Sequence, residues 1–321
     1  MPISSSFDLP VSPIHTIFYP VLEKAGVQLI LKRDDLIHPS ISGNKWRKMK
    51  YNLVEAQQQG ARQLITFGGA YSNHIYATAS AGKVFGFDTL GIIRGDELNP
   101  QSSPTLQYAA ENGMQFRFVS RTAYRDKEEI LEQLKQENVA LEKAYYLPEG
   151  GSNHLALKGL AELSQEIYQQ TQPDYIVSAV GTGGTIAGIL ASSKAPTQVI
   201  GITALKGAIS GLLNDIQDLL SENSTIDFTR FALLDAYHFG GYAKHTPVLL
   251  DFIRQLESYN PNLQLEQVYT GKMLYGIIDL AEKGFFKKGS QVVAVHTGGL
   301  QGRNNTLRNN TRLNYNTTQI R

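Results

Sequence analysis

Apolar residues follow one another along this chain in two alternating patterns. Short apolar runs rich in β-branched residues, such as residues 175–180 and 291–295, are typical of buried strands. Between these runs, apolar side chains recur every three or four positions, as at Trp46, Met49 and Leu53, which is typical of amphipathic helices. The sequence therefore predicts a chain of repeated strand–helix units.

Apolar strands separated by helices favour parallel sheets that are covered on both faces, and hence an α/β fold. A chain of 321 residues is long enough to form two lobes. The predicted strands are residues 27–32, 62–67, 89–93, 115–119, 145–147, 175–180, 199–204 and 291–295. The predicted helices are residues 46–60, 72–85, 105–112, 126–138, 153–170, 186–192, 207–220, 246–257 and 272–283.

Glycine-rich segments follow four of the predicted strands. Ligands of open α/β sheets bind beyond the carboxyl ends of the strands, so these segments are expected to face one crevice. They are Gly68-Gly69, Gly150-Gly151, Gly181-Thr182-Gly183-Gly184-Thr185 and Gly298-Gly299. The free N–H groups and the helix dipole at 181–185 suit a phosphate, although a tight turn without a ligand fits equally well. The segment has neither the ending of an ATP-binding P-loop nor the glycine spacing of a dinucleotide fold.

Lys45 lies in the segment Ser42-Gly43-Asn44-Lys45-Trp46-Arg47-Lys48, just before a predicted helix. At a helix start the backbone is fixed, so the side chain of such a lysine points in a defined direction. The lysine can form a Schiff base if burial or a neighbouring charge lowers its pKa. A solvated, basic helix start is the alternative.

Two identical tripeptides, at residues 72–74 and 152–154, each follow a Gly-Gly turn at a predicted helix start. Ser72, Asn73 and His74 could bind a carboxylate through the helix N–H groups and the hydroxyl. Plain helix capping explains both tripeptides equally well, and the residues alone do not decide. Tyr242 and Tyr269 lie in loops, where they are either packed aromatics or acid–base groups.

Composition excludes several classes of function. The formal net charge is +1, from 30 basic and 29 acidic residues, which gives no field to attract nucleic acid or an anionic membrane. The absence of cysteine excludes disulfides, thiol nucleophiles, iron–sulfur clusters and cysteine-ligated zinc, and the histidines lack the paired spacing of a zinc site. The N-terminus has no secretion signal and no apolar stretch is long enough to span a bilayer, so a cytoplasmic location is expected. The asparagine-rich tail 303–321 is expected to be loosely packed.

Taken in order, the motifs resemble one known family. Ser-Gly-Asn-Lys-x-Arg-Lys, Gly-Gly-x-x-Ser-Asn-His, Pro-Glu-Gly-Gly-Ser, Gly-Thr-Gly-Gly-Thr, Tyr-Thr-Gly-Lys and His-Thr-Gly-Gly succeed one another across residues 8–302. This order is similar to that of the pyridoxal-phosphate-dependent D-cysteine desulfhydrases and 1-aminocyclopropane-1-carboxylate deaminases, of the tryptophan-synthase-β fold group (fold type II). The resemblance implies a homodimer, a small amino-acid substrate and a pyridoxal 5′-phosphate in the cleft between two lobes. The implied lobes are residues 1–46 plus 158–321, which bind the cofactor, and residues 47–157, which close over the substrate.

The resemblance also implies individual roles. Lys45 would form the Schiff base with the cofactor, Lys48 and Gly181, Thr182, Gly183, Gly184 and Thr185 would bind its phosphate, and Asn73 its 3′-oxygen. Ser72, Asn73 and His74 would receive the substrate carboxylate, Tyr242 and Tyr269 would be active-site tyrosines, and Thr270 would face the pyridine nitrogen. The implied catalytic residues are Lys45, Ser72, Tyr242 and Tyr269.

The residue at position 270 bears on the reaction. In the family, deaminases that open a cyclopropane ring carry glutamate there and desulfhydrases carry threonine, so Thr270 favours α,β-elimination, with D-cysteine giving pyruvate, sulfide and ammonia. A cyclopropane-carboxylate deaminase, another lyase or dehydratase, a silent metabolite-binding protein and an unrelated phosphate-binding protein remain alternatives. Tyr71 and Tyr76 depart from the family pattern beside the carboxylate-binding turn, which leaves the substrate open.

Overall fold

The computed structural model describes residues 9–41, 43–137, 143–221 and 225–308. Ten strands and ten α-helices alternate through these residues, except that the last two helices follow one another directly. The strands are β1 (Ile14–Ile17), β2 (Gln28–Lys32), β3 (Gln63–Gly68), β4 (Asp88–Arg94), β5 (Met114–Val119), β6 (Ala144–Leu147), β7 (Tyr175–Val180), β8 (Gln198–Thr203), β9 (Phe231–Leu234) and β10 (Gln291–Val295). The helices are α1 (Pro20–Ala25), α2 (Asn44–Gln58), α3 (Asn73–Phe85), α4 (Pro104–Glu111), α5 (Lys127–Glu137), α6 (His154–Gln170), α7 (Gly184–Ser192), α8 (Ile209–Leu220), α9 (Pro247–Tyr259) and α10 (Thr270–Glu282).

The strands form two sheets, which confirms the predicted α/β class. The larger sheet has the order β1-β2-β10-β7-β8-β9 and is parallel except for the pairing of β1 with β2. The smaller sheet has the order β5-β4-β3-β6 and is parallel throughout. The chain begins in the larger sheet, builds the smaller one between β3 and β6, and then returns. The lobe limits at 46/47 and 157/158 fall inside α2 and α6 and stay a prediction.

Both faces of the larger sheet are covered by apolar cores. Leu29 and Leu31 point into one core and Ile30 into the other, because successive strand residues face opposite sides. Trp46, Met49 and other apolar residues of α2 pack with those of the smaller sheet in a third core. Helix α2 therefore joins the two sheets, and its first turn lies where they meet.

A buried ionic network holds α2 against its neighbours. The Arg47 guanidinium donates to both carboxylate oxygens of Asp34, at 3.1 and 3.0 Å, and to both of Glu166 on α6, at 2.6 and 2.8 Å. Lys32 on β2 also binds Glu166, at 2.7 Å. A Cβ on Gly159 would lie 1.9 Å from the Arg47 carbonyl oxygen, so α6 passes directly over the start of α2.

The sequence prediction missed three elements and misjudged one end of the chain. The missed elements are the antiparallel strand β1, the short helix α1 and the edge strand β9. The tail was predicted to be loose from residue 303, but Arg303 is buried, pairs with Glu257 and donates to the Leu307 carbonyl. Loose packing of residues 303–308 was therefore wrong, and residues 309–321 lie outside the described part.

Replacing Arg47 with methionine is expected to cost about 3–5 kcal/mol of unfolding free energy, because two carboxylates would lose a buried partner. The matched control is Arg117→Met, whose pair with Glu137 is solvent-exposed and should contribute about 0–1 kcal/mol. Urea unfolding of both variants measures the difference. An Arg47→Met variant as stable as Arg117→Met would contradict the structural role of this network.

Candidate active site

A cavity of about 370 Å³ opens between the two sheets at the carboxyl ends of their strands. Its walls come from the last residue of β4, from the segments after β3, β6, β7, β8 and β10, and from the starts of α2, α3 and α7. Four sequence segments that were expected to share one crevice thus contribute to, or lie directly against, one cavity. The predicted site residues that line it are Lys45, Lys48, Ser72, Asn73, His74, Gly181, Thr182, Gly183, Thr185, Tyr242 and Tyr269.

Lys45 is the second residue of α2, which begins two residues before the predicted helix start at Trp46. The turn before it is tight: Gly43 has φ 66°, and a Cβ there would lie 2.0 Å from the Thr297 carbonyl oxygen. Within the described chain, Nζ of Lys45 has no hydrogen-bond partner. Burial lowers the pKa of this amine to about 8, so a sizeable neutral fraction exists near neutral pH. Ser42 of the same motif lies outside the described residues.

Lys48 lies one turn further along α2 and is almost fully buried. Its Nζ donates to the Gly150 carbonyl at 3.0 Å and to Ser152 Oγ at 2.9 Å. Ser152 Oγ lies 3.1 Å from Thr182 Oγ1, which connects the lysine to the glycine-rich turn before α7. Burial, followed by the charge of Lys45, places the pKa of Lys48 well below its ordinary value.

The turn at 181–185 forms the rest of this cradle. Gly183 has φ 78°, and a Cβ on Gly184 would lie 2.2 Å from Ser152 Oγ and 2.9 Å from Lys48 Nζ. Gly184 itself is buried beneath the cavity. The backbone N–H groups at the start of α7, two hydroxyls and one lysine suit the oxygens of a phosphate ester.

The two Ser-Asn-His tripeptides occupy different places. Ser72 caps α3 by accepting hydrogen bonds from the N–H groups of His74 and Ile75, at 3.2 and 3.3 Å. In the second tripeptide Asn153 is the cap of α6, and Ser152 is free to contact Lys48 and Thr182. The first tripeptide thus lines the α3 side of the cavity and the second supports the cradle.

Two polar side chains are oriented by hydrogen bonds to neighbouring side chains. Asn73 Oδ1 accepts from Gln301 Nε2 at 2.7 Å, which leaves the amide N–H₂ of Asn73 as the available donor. The Thr66 hydroxyl donates to the Leu147 carbonyl at 2.8 Å, and therefore accepts from Nε2 of His74 at 2.8 Å. Nδ1 of His74 is then an unprotonated acceptor, and burial places the pKa of this ring well below its ordinary value.

Tyr242 and Tyr269 stand next to each other on one wall, with ring centroids 6.1 Å apart. Burial is the main cause that raises the pKa of Tyr242 and places that of Tyr269 well above its ordinary value. Both phenols therefore stay protonated at neutral pH. Arg94 and Glu149 also line the cavity, and Glu149 pairs with Lys127 at 2.7 Å.

Thr270 does not line the cavity. It is fully buried behind Tyr269, and its hydroxyl donates to Glu266 Oε1 at 2.9 Å. The same carboxylate accepts from the backbone N–H groups of Val268, Tyr269 and Thr270. Burial raises the pKa of Glu266, although these hydrogen bonds oppose the shift.

The two departures from the family pattern lie away from the cavity. Tyr71 is 58% exposed, and Tyr76 stacks on Tyr108 of α4 with ring centroids 3.8 Å apart. Neither side chain lines the cavity. The structure therefore places both departures outside the cavity lining.

Sequence reasoning missed five residues of this region. Arg94 and Glu149 close or follow short strands, and that position was the available signal. Ser152 was recognised but not placed. No local pattern marks the other two, because their roles come from distant contacts: Gln301 with Asn73, and Glu266 with Thr270.

The chain is also similar to known proteins. The family model described as "Pyridoxal-phosphate dependent enzyme" matches residues 9–298. A protein of Pyrococcus abyssi named putative 1-aminocyclopropane-1-carboxylate deaminase is 33% identical over 304 residues, covering 88% of this chain and 87% of the relative. An Arabidopsis thaliana protein, named mitochondrial bifunctional D-cysteine desulfhydrase/1-aminocyclopropane-1-carboxylate deaminase, is 32% identical over 321 residues, covering 91% and 77%.

The fold has a counterpart among solved structures. A crystal structure described as an ACC deaminase homologue superposes with a TM-score of 0.77 and 31% identity, covering 96% of this chain and 94% of the other. In the described part of this chain, no helix combines the length and the apolar character needed to cross a bilayer.

Gly184→Ala is expected to weaken binding of pyridoxal phosphate by roughly 10- to 100-fold, because the added methyl group must displace Ser152 and Lys48. Absorbance titration of the cofactor-free protein measures the affinity. Gly211→Ala, on a helix glycine with open space around it, is the matched control and should bind normally. Equal affinity of both variants would contradict a phosphate at this turn.

Proposed function

This chain belongs to the family of pyridoxal-phosphate-dependent enzymes, and we propose that it is a lyase that eliminates the β-substituent of a small amino acid. The best candidate substrate is D-cysteine, which with water would give pyruvate, hydrogen sulfide and ammonia. The observation that carries the proposal is the cavity itself. It places the Lys45 amine, with its lowered pKa, in one space with an anion cradle and two protonated tyrosines.

Three groups of residues would hold the cofactor. Lys45 would bind its aldehyde carbon covalently, and the Lys48–Ser152 cradle would bind its phosphate. The Asn73 amide, whose oxygen is engaged by Gln301, would donate to the ring oxygen. When bound, pyridoxal phosphate stabilises the negative charge that develops at the substrate α-carbon.

The pKa of Lys45 is lowered and those of the two tyrosines are raised, so different residues would accept and donate protons. Lys45, once displaced by the substrate amine, would take the α-proton on Nζ, because burial favours its neutral form. Tyr242 or Tyr269 would then donate a proton to the departing sulfur, because a phenol with a raised pKa is an acid rather than a base at neutral pH.

The start of α3 would receive the substrate carboxylate. Ser72 Oγ already accepts from two N–H groups, so its own proton is available for a carboxylate oxygen. The N–H of Asn73 and the positive end of the helix dipole would add to this contact. Holding the carboxylate there orients the α-C–H bond for cleavage. His74 would border the substrate through Nδ1.

A second candidate, opening of the ring of 1-aminocyclopropane-1-carboxylate, gains support from Glu266. Thr270 itself carries no charge, which favours elimination. Its hydroxyl proton, however, is engaged by a buried carboxylate, so the side chain offers only lone pairs outward. The carboxylate behind Thr270 would support a protonated ring nitrogen placed against this threonine. The names of the two relatives support both reactions.

Three further expectations stay proposals. The enzyme would act in the cytoplasm, although the plant relative is named mitochondrial. It would form a homodimer, and residues 47–157 would close over the bound substrate.

Borohydride reduction of the cofactor-loaded enzyme is expected to fix a pyridoxyl group on Lys45, whose amine has no hydrogen-bond partner among the described residues, rather than on Lys48, whose amine already has two partners. Peptide mass spectrometry locates the group. Lys45→Ala should take up no covalent label and should lose activity, whereas a label on Lys48 in the unmodified chain would refute the assignment.

Release of keto acid from a substrate panel should separate the candidate reactions. We expect pyruvate from D-cysteine and from D-β-chloroalanine. Release of 2-oxobutyrate from the cyclopropane amino acid would select the second candidate. L-cysteine and both serine enantiomers complete the panel. A loaded enzyme that releases no keto acid from any of them would refute a lyase and indicate a binding protein.

A further inference from the structure

Lys272, the last residue of the Tyr-Thr-Gly-Lys motif, does not line the cavity. It lies in the first turn of α10 and is only 1% exposed. Its Nζ donates to the carbonyl oxygens of His238 and Gly241, at 2.8 and 2.9 Å. A buried ammonium bound by two backbone carbonyls fixes the segment that supplies them. None of the proposed catalytic steps uses this lysine.

The segment bound by Lys272 is the loop between β9 and α9, which carries Tyr242. Its backbone is strained. Phe239 and Ala243 have φ values of 49° and 58°, and they are the two non-glycine residues of the described chain with positive φ. Gly240 and Gly241, between them, have φ values of 95° and 117°. Such a backbone persists only where its surroundings hold it in place.

Helix α10 holds both the loop that carries Tyr242 and the neighbouring Tyr269. The hydroxyl of Tyr237, near the start of the loop, donates to Asp279 of α10 at 2.7 Å, and its ring packs on Gly276. Tyr269 directly precedes α10 and lies beside Tyr242 on the cavity wall, with the two rings inclined at 61°. Helix α10 therefore sets the position of Tyr269 directly and that of Tyr242 through the loop.

We propose that Lys272 is a positioning residue that clamps the strained loop and thereby holds the phenol of Tyr242 opposite the reacting atoms. The two tyrosines then act as one unit fixed by α10. Loss of the clamp releases the loop and displaces Tyr242, while Lys45 and the phosphate cradle stay intact. The expected effect of the clamp on kcat rests on the proposed function, but the contact of Lys272 with the loop does not.

Hydrogen exchange on the cofactor-loaded enzyme tests the clamp without turnover. Lys272→Met should raise amide exchange in residues 238–244 by roughly tenfold or more, with cofactor content unchanged. Lys244→Met makes the same substitution at an exposed lysine of the same loop and should leave exchange unchanged. Unchanged exchange at 238–244 in Lys272→Met would overturn the clamp. If Lys272→Met does not fold, Lys272→Gln, which keeps two N–H donors, replaces it and should show a smaller rise.

A double-mutant cycle tests whether the clamp acts through Tyr242. Lys272→Met and Tyr242→Phe should each lower kcat for D-cysteine, whose departing sulfur takes a proton, by roughly tenfold, and the double variant should fall little further, because the second change acts on a group already lost. If the reductions in kcat of the two single variants multiply in the double variant, the two residues act independently and the clamp does not act through Tyr242. If the unmodified enzyme eliminates nothing, the proposed function fails and the exchange result still decides the clamp.

Discussion

The position of Lys45 depends on the buried guanidinium of Arg47. Arg47 binds Asp34, in the turn after β2, and Glu166, on α6, while Lys32 of β2 shares Glu166. Burying these charges is costly unless every partner is present, so the network is satisfied in one arrangement of β2, α2 and α6. Lys45 is two residues from Arg47, in the first turn of the same helix. The geometry of the network therefore fixes where the reactive amine stands.

Burial then gives the cavity its chemistry. It disfavours the charged form of any group, so the pKa values of the two cavity lysines fall while those of the two tyrosines rise. One cause thus raises the fraction of neutral amine, which can take a proton, and keeps the phenols protonated, so that they can give one. Lys48 differs from Lys45 in having two hydrogen-bond partners, which suits binding rather than nucleophilic attack. Neighbouring lysines of one helix can therefore serve different purposes.

Much of this arrangement could be predicted from the sequence. Apolar runs gave the parallel strands, and glycines after the strands marked the cavity, because both signals are local. Strands β1 and β9 escaped prediction because they lie at sheet edges and are only partly buried, so they lack a continuous apolar run. The residues of the two Ser-Asn-His tripeptides did not distinguish them without the family resemblance, since what separates them is contact with Lys48, a residue distant in sequence. The engagement of Thr270 by Glu266 was missed because it needs the fold of the turn before α10.

The pKa of Lys45 in the cofactor-free protein is the most direct test of this account. Competitive acetylation with acetic anhydride across a pH series, read by mass spectrometry of the Lys45 peptide, reports the neutral fraction of this one amine. A midpoint of about 8 would agree with a buried lysine held without a partner at the cavity wall. A midpoint near the ordinary lysine value of about 10.4 would contradict it, because Lys45 would then be a solvated surface group.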